Sequence, residues 1–179
     1  AAPPEKPLNP PGTATAMRPR PFLLLLAGFA LALMAAGEAD AIDHKWSYDS
    51  WNVVSSVSIS ADGEYIVAGS GSRVYLFEKD SSTPLWRYDT EYYVSSVAIS
   101  ADGEYIAAGI ANWEDGYGKV YLFEKDYSTP FWSYETEGGV YSAAISADGE
   151  YIAASLGYYG DNDRWKGKIN LFHKDSSTP

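Results

Sequence analysis

The 179-residue chain has no cysteine, only two histidines, and little positive charge: 13 Lys and Arg stand against 24 Asp and Glu, a formal charge of -11. Without cysteine there is no disulfide, no thiol nucleophile, no lipid-modified cysteine and no thiolate metal site. The shortage of cations argues against nucleic acid, whose phosphates must be met by clustered Lys and Arg, and against adsorption to anionic lipid. With two histidines, His44 and His173, and no partner for either at a useful sequence spacing, a catalytic triad has little to be built from. What is abundant is aromatic: 15 Tyr and 6 Trp. Such side chains suit pleated, half-buried surfaces, so the composition leans towards β structure.

The first forty residues differ from the rest. Residues 1–16 are Pro-rich, lack an apolar period and read as disordered sequence upstream of the true start. From Met17 the chain shows a basic stretch with Arg18 and Arg20, an uncharged apolar run from Phe22 to Ala36, and Ala39-Asp40-Ala41. These are the three parts of a secretory leader over 17–41, with cleavage expected after Ala41. The apolar run is 15 residues, against the ~20 that a spanning helix needs. The expected address is therefore outside the cytoplasm, whether secreted, periplasmic or on the cell surface, with no membrane insertion after cleavage.

The remainder, 42–179, is a repeat. SADGEY occurs three times, with its aspartate at Asp62, Asp102 and Asp148, spaced by 40 and 46 residues. A second block follows each copy: VYLFEKDSSTPLWRYDT, VYLFEKDYSTPFWSYET and INLFHKDSSTP. HKWSYDS, from His44, matches the end of that block ahead of the first full unit. Each unit parses into four short strands. Asp-Gly supplies the left-handed turn position between the first two, and Pro84 closes the loop before the fourth. Four strands per ~40–45 residues is the period of a β-propeller blade. No window carries the i, i+3, i+4, i+7 spacing of a helical solenoid, and the period is longer than the ~20–30 residues of a β-helix turn.

VSSVAISADGEYIAAG resembles the inner two strands of WD-repeat propellers. VYLFEKDSSTPLWRYDT is similar to the strand pair of quinoprotein-like propeller repeats, whose tryptophan docks one blade on the next. The matching residues are Trp46, Trp86 and Trp132, and the resemblance covers 44–179. It implies an all-β propeller of four-stranded antiparallel blades. An orphan outer strand over 44–50 precedes blades at about 53–90, 94–136 and an incomplete 140–179. The Gly-His and Trp-Asp pairs of WD repeats are absent, with Phe77-Glu78, Phe123-Glu124 and Phe172-His173 in the second place. Aromatic packing across blades is therefore expected to carry more of the specificity. Three blades fall below the roughly four to eight of known propellers. The chain is expected to be part of a larger ring, or to complete one as a homodimer.

The repeats differ most between their second and third strands. Ser70-Gly71-Ser72 in the first unit becomes Ile110 to Gly118 in the second and Leu156 to Gly167 in the third. Repeat-specific insertions map to one face, often the binding face. That face would gather Trp113, Tyr117, Tyr158, Tyr159 and Trp165, with Tyr92 and Tyr93 from the connections to the next blade and with several carboxylates. Asp161 and Asp163 are the weak candidates for a cation, although the spaced carboxylates and bidentate Glu of a calcium loop are missing. No cofactor is called for. The expected function is a non-catalytic scaffold that binds a protein or a polysaccharide on an acidic, aromatic face. The alternatives are a fragment of a quinoprotein-like or hydrolytic propeller enzyme with its active site elsewhere, or a periplasmic envelope assembly factor. Expressed in a secreting host, the mature chain is predicted to start near Ile42. An intact mass that retains Met17 would refute the leader.

Overall fold

The computed structural model describes residues 44–160 and 164–179. The expected leader over 17–41 and the pair Asp161 and Asp163 lie outside the described residues. Eleven strands follow one another: β1 (Val54–Ile59), β2 (Tyr65–Ser70), β3 (Arg73–Glu78), β4 (Trp86–Asp89), β5 (Tyr93–Ile99), β6 (Tyr105–Asn112), β7 (Tyr117–Glu124), β8 (Trp132–Thr136), β9 (Gly139–Ile145), β10 (Tyr151–Gly160) and β11 (Arg164–His173). They form three antiparallel meanders, β1–β4, β5–β8 and β9–β11, and the third has three strands. This is the all-β blade architecture expected from the repeat. Residues 44–50 form no strand. Among the described residues no strand pairs with this segment, so the expected orphan strand has no ladder.

SADGEY closes each first hairpin by a network of its own side chains. The hydroxyls of Ser60, Ser100 and Ser146 each donate to the aspartate two residues on, at 2.5 Å, and each accepts from the amide of Tyr65, Tyr105 or Tyr151. The same aspartate oxygen accepts the amide of Glu64, Glu104 or Glu150 at 2.9–3.1 Å. Gly63, Gly103 and Gly149 take φ of 74°, 77° and 72°, the left-handed conformation that glycine adopts without a Cβ penalty. Glycine serves a second purpose there. A Cβ on Gly103 would lie 2.6 Å from the Tyr65 ring of the preceding blade, and one on Gly149 equally close to Tyr105. The turns are also joined by backbone, Ala61 N–H to Ala101 O at 2.9 Å and Ala101 N–H to Ala147 O at 3.0 Å.

The first strands carry apolar residues at irregular spacing, Val54, Val57 and Ile59, because a β-bulge shifts the register between Val54 and Ser56; β5 repeats it between Val94 and Ser96. The bulged Ser55 donates to Gly69 O within its sheet and to Val94 O of the next at 2.5 Å. Ser95 does the same to Gly109 O and Val140 O. The core lies between sheets. Val67, Val74 and Leu76 pack with Val94, Val97 and Ile106, while Val120 and Leu122 pack with Val140 and Ile152.

The outer strands lock onto the next blade through tryptophan. The indole N–H of Trp86 donates to Lys125 O at 2.7 Å and that of Trp132 to Lys174 O at 2.6 Å; their rings lie 5.4 Å from Phe123 and Phe172. Trp46 makes the same contacts with Lys79 O, at 2.8 Å, and with Phe77. So 44–50 sits on the first blade as an outer strand would, without being one. All three tryptophans are half-buried rather than enclosed, because each spans the outer rim of a gap between sheets.

Truncating Trp86 removes a ring and a hydrogen bond between blades. Trp86→Ala is predicted to cost roughly 3 kcal/mol, the lower end for tryptophan truncation given the half-buried ring. Trp113→Ala, 54% exposed, should cost under ~1 kcal/mol; urea unfolding that gives equal losses would refute the packing. Acid provides a second check. The Ser100 hydroxyl first, working against burial and helped by the Glu104 amide, holds the Asp102 carboxyl below its ordinary 3.8. A depressed carboxyl contributes stability that is complete above its unfolded value and is lost as pH falls through its folded value. Asp102→Asn should therefore flatten the decline in stability below about pH 3.8, measured as urea midpoint against pH. An unchanged decline would contradict the turn network.

Candidate functional site

The insertions are not loops. The second extends β6 and β7, which pair as far as Asn112 and Tyr117. The third extends β10 and β11, paired to Tyr159 with Trp165 and Gly160 with Arg164. The reason is alternation: extra residues such as Leu156, Tyr158 and Trp165 prolong the period-2 pattern of the strands they follow. The short turn at 113–116 is capped by Asn112, whose carbonyl accepts the amides of Glu114 and Asp115 at 3.0 and 3.2 Å. Its amide donates to the Asp115 carboxylate at 2.8 Å.

The two long hairpins enclose a groove of about 350 Å³. Trp113, Glu114 and Asp115 form one wall, Tyr158, Tyr159 and Trp165 the other, with Gly139 and Gly157 between them. Trp113, Tyr159 and Trp165 are 54%, 61% and 63% exposed, and the last two meet edge to face at 4.8 Å. Four of the residues expected on this face thus share one cleft. Tyr92 and Tyr117 do not join it. They form a separate pair, hydroxyl to hydroxyl with rings 5.1 Å apart, and each is half-buried. Tyr93 opens β5 opposite Ala111.

The groove depends on residues that sequence reasoning passed over. Glu91-Tyr92-Tyr93 of the second unit is matched in the third by Glu137-Gly138-Gly139. A Cβ on Gly138 would lie 2.3 Å from Gly157 O, and one on Gly139 would lie 3.3 Å from the Trp113 ring. The two glycines therefore let the hairpins approach and leave open the space that Tyr92 and Tyr93 occupy one blade earlier. Tyr141 was also missed. It stands where Ser55 and Ser95 stand in the other units, and its ring meets Trp113 at 5.0 Å. The signal was a pair of small-for-large and large-for-small changes, Gly-Gly where the second unit has Tyr-Tyr and Tyr141 where both other units have Ser.

The acid on this face is partly neutralised. Lys119 lies 2.8 Å from Glu91 and 3.6 Å from Glu135, and Lys168 lies 3.1 Å from Glu137. Glu91 first, against burial, raises the Lys119 ammonium above its ordinary value. Glu114, exposed on the turn, is the carboxylate the groove presents to solvent. Away from the groove, His173 does have partners: its Nε2 lies 3.2 Å from Glu150, brought beside it by the pairing of β10 with β11, and its Nδ1 lies 3.7 Å from Asp175, two residues on. Among the described residues no three His, Asp or Glu side chains converge as a metal site.

Comparison with known proteins gives the following. The family model described as WD domain, G-beta repeat matches residues 43–78, the stretch that contains Trp46 and β1 to β3. Two solved structures share the fold. One is the β-propeller domain of Cps50 (Swd1) from Myceliophteria thermophila, at 14% identity and a TM-score of 0.52, with 66% of this chain and 39% of that one covered. The other is hydrazine synthase from Kuenenia stuttgartiensis, at 13% identity and a TM-score of 0.56, with 78% and 37% covered. The chain spans less than two-fifths of the length of either. No curated protein matches it in sequence.

Proposed function

We propose that this chain, whose fold is the β-propeller and whose first repeat is a WD repeat, is a non-catalytic scaffold that binds a protein partner in the groove between its second and third blades. The fold supports an interaction role in general. The observation that carries the finer reading is the exposure of Trp113, Tyr159 and Trp165 around one cleft. Side chains this large and this apolar are commonly covered in soluble proteins, and Trp and Tyr dominate the energetics of recognition surfaces. Tyr159 and Trp165 sit on paired strands and Trp113 rests against Tyr141 on a turn capped by Asn112, so the rings are held before a ligand arrives and the ordering cost is reduced. Glu114 and the net charge of -11 favour a basic segment of the partner. The leader-like 17–41 supports a place outside the cytoplasm.

A polysaccharide is the second reading, since flat exposed rings also suit sugar faces. The test presents the chain to a randomised peptide display and to a glycan array side by side. A protein-binding groove selects peptides with Arg or Lys next to an apolar residue. Their affinity should fall at least tenfold in Trp113→Ala or Trp165→Ala and weaken with added salt. Glycan binding lost in the same two variants, with no peptide selected, would replace this reading with the polysaccharide one.

A further inference from the structure

The rings at the groove between the second and third blades are arranged as two corners. Trp113 meets Tyr141 with centroids 5.0 Å apart and planes at 65°, and Tyr159 meets Trp165 at 4.8 Å and 66°. Glycine seats the first corner. A Cβ on Gly157 would lie 2.5 Å from the Tyr141 ring, and one on Gly139 would lie 3.3 Å from the Trp113 ring. Trp113 is thus fixed along one side by its neighbours while 54% of it stays exposed. An indole face carries negative potential, and a ring already locked in place offers that face without reorganisation.

Few polar groups accompany the rings. Asn112 is fully used: its carbonyl accepts the amides of Glu114 and Asp115, and its own amide donates to one oxygen of Asp115. The Glu114 carboxylate has no hydrogen-bond or ion-pair partner among the described residues. None of the described residues that line the groove is Lys or Arg. On the same face Lys119 is held by Glu91 and Glu135, and Lys168 by Glu137. Lys166 lies along Gly160, outside the lining. The groove therefore presents ring faces and an unpaired carboxylate, with no cation of its own to answer them.

Resting on the protein-binding reading of this groove, we infer that its anchor is a single arginine side chain of the partner, with the guanidinium laid on the Trp113 ring and its N–H groups donated to Glu114. Charge alone would admit lysine equally. The residues at hand separate the two. An ammonium is compact and strongly hydrated, and its three N–H groups need acceptors gathered around one nitrogen, which rings and glycines do not supply. A guanidinium is flat and weakly hydrated, so it stacks on a ring and turns the N–H groups in its plane towards a carboxylate as a fork. Glu114 follows Trp113 directly on the turn that Asn112 caps, so one short, braced element presents both the ring and the carboxylate. A neutral planar group of the same shape would keep the stacking and lose the charge-assisted bonds.

The test uses the full chain with ¹⁵N-labelled tryptophan and three probes: N-acetyl-arginine amide, N-acetyl-lysine amide and N-acetyl-citrulline amide. The arginine probe should shift the Trp113 indole N–H resonance in a saturable titration and leave that of Trp86 in place. The lysine and citrulline probes should each bind about tenfold more weakly, the first loss reporting shape and the second charge. Glu114→Gln, on an exposed turn position, should leave the circular dichroism spectrum unchanged and weaken the arginine probe about tenfold. No response at Trp113, equal binding of arginine with either of the other probes, or a titration that Glu114→Gln leaves unchanged would each overturn the inference. Peptides selected by display that bind the groove without an arginine would overturn it too, and would leave the protein-binding reading standing. If no peptide is selected, that reading falls with it.

Discussion

One interaction recurs along the outer rim of all three sheets, an indole N–H donated to the carbonyl of the lysine just after the sheet's third strand, from the outer strand of the preceding blade or from the 44–50 segment. The three distances, 2.8, 2.7 and 2.6 Å, fall in one narrow range although the blades differ in length and in strand number. A hydrogen bond of this kind contributes about 0.5–1.5 kcal/mol net, and an aromatic pair about as much again beyond its buried area. Neither is large alone. What makes the contact decisive is its position, because it fixes the distance and angle at which Val67, Val74 and Leu76 meet the following sheet. The ion pairs near it, Lys125 with Glu104 and Lys174 with Glu150, are partly exposed and add little by comparison.

From that constraint the other repeated features take their places. With the outer rim set by tryptophan, the inner strands come close enough for Ser55 and Ser95 to reach the next sheet, and only glycine fits at Gly69 and Gly109. The turn of each blade then seats its tyrosine on the glycine of the next turn. One sequence unit therefore specifies its own hairpin and its neighbour's position, which is how a short repeat builds an array without a separate core. The groove is where the repeat departs: Gly138-Gly139 stand where Tyr92-Tyr93 stand one blade earlier, and Tyr141 takes a serine position and meets Trp113.

Much of this was legible from the sequence. Asp-Gly marked the hairpins, Trp86 and Trp132 marked the outer strands while Trp46 marked a segment that docks like one without being a strand, and the 40- and 46-residue spacings marked the blades. The bulge after Val54 was hidden, since a bulge is set by pairing with a neighbour and not by local preference. The long hairpins read as loops because Gly, Asn and Asp are common in them. Groove formation depended on what a Cβ at Gly138 would strike across space, and His173 gained Glu150 only through the pairing of β10 with β11. In each case the missing information was a contact between residues far apart in the chain.

The central claim is that Trp86 and Trp132 hold adjacent blades together, that Trp46 pins the 44–50 segment to the first blade in the same way, and that Trp51, Trp113 and Trp165 play no such part. Hydrogen exchange of the indole N–H groups, followed by NMR on protein with ¹⁵N-labelled tryptophan, tests it directly. The account predicts slow exchange at Trp46, Trp86 and Trp132, and fast exchange at Trp51, Trp113 and Trp165, which are 95%, 54% and 63% exposed. Fast exchange at Trp86 and Trp132, indistinguishable from that at Trp113, would contradict it.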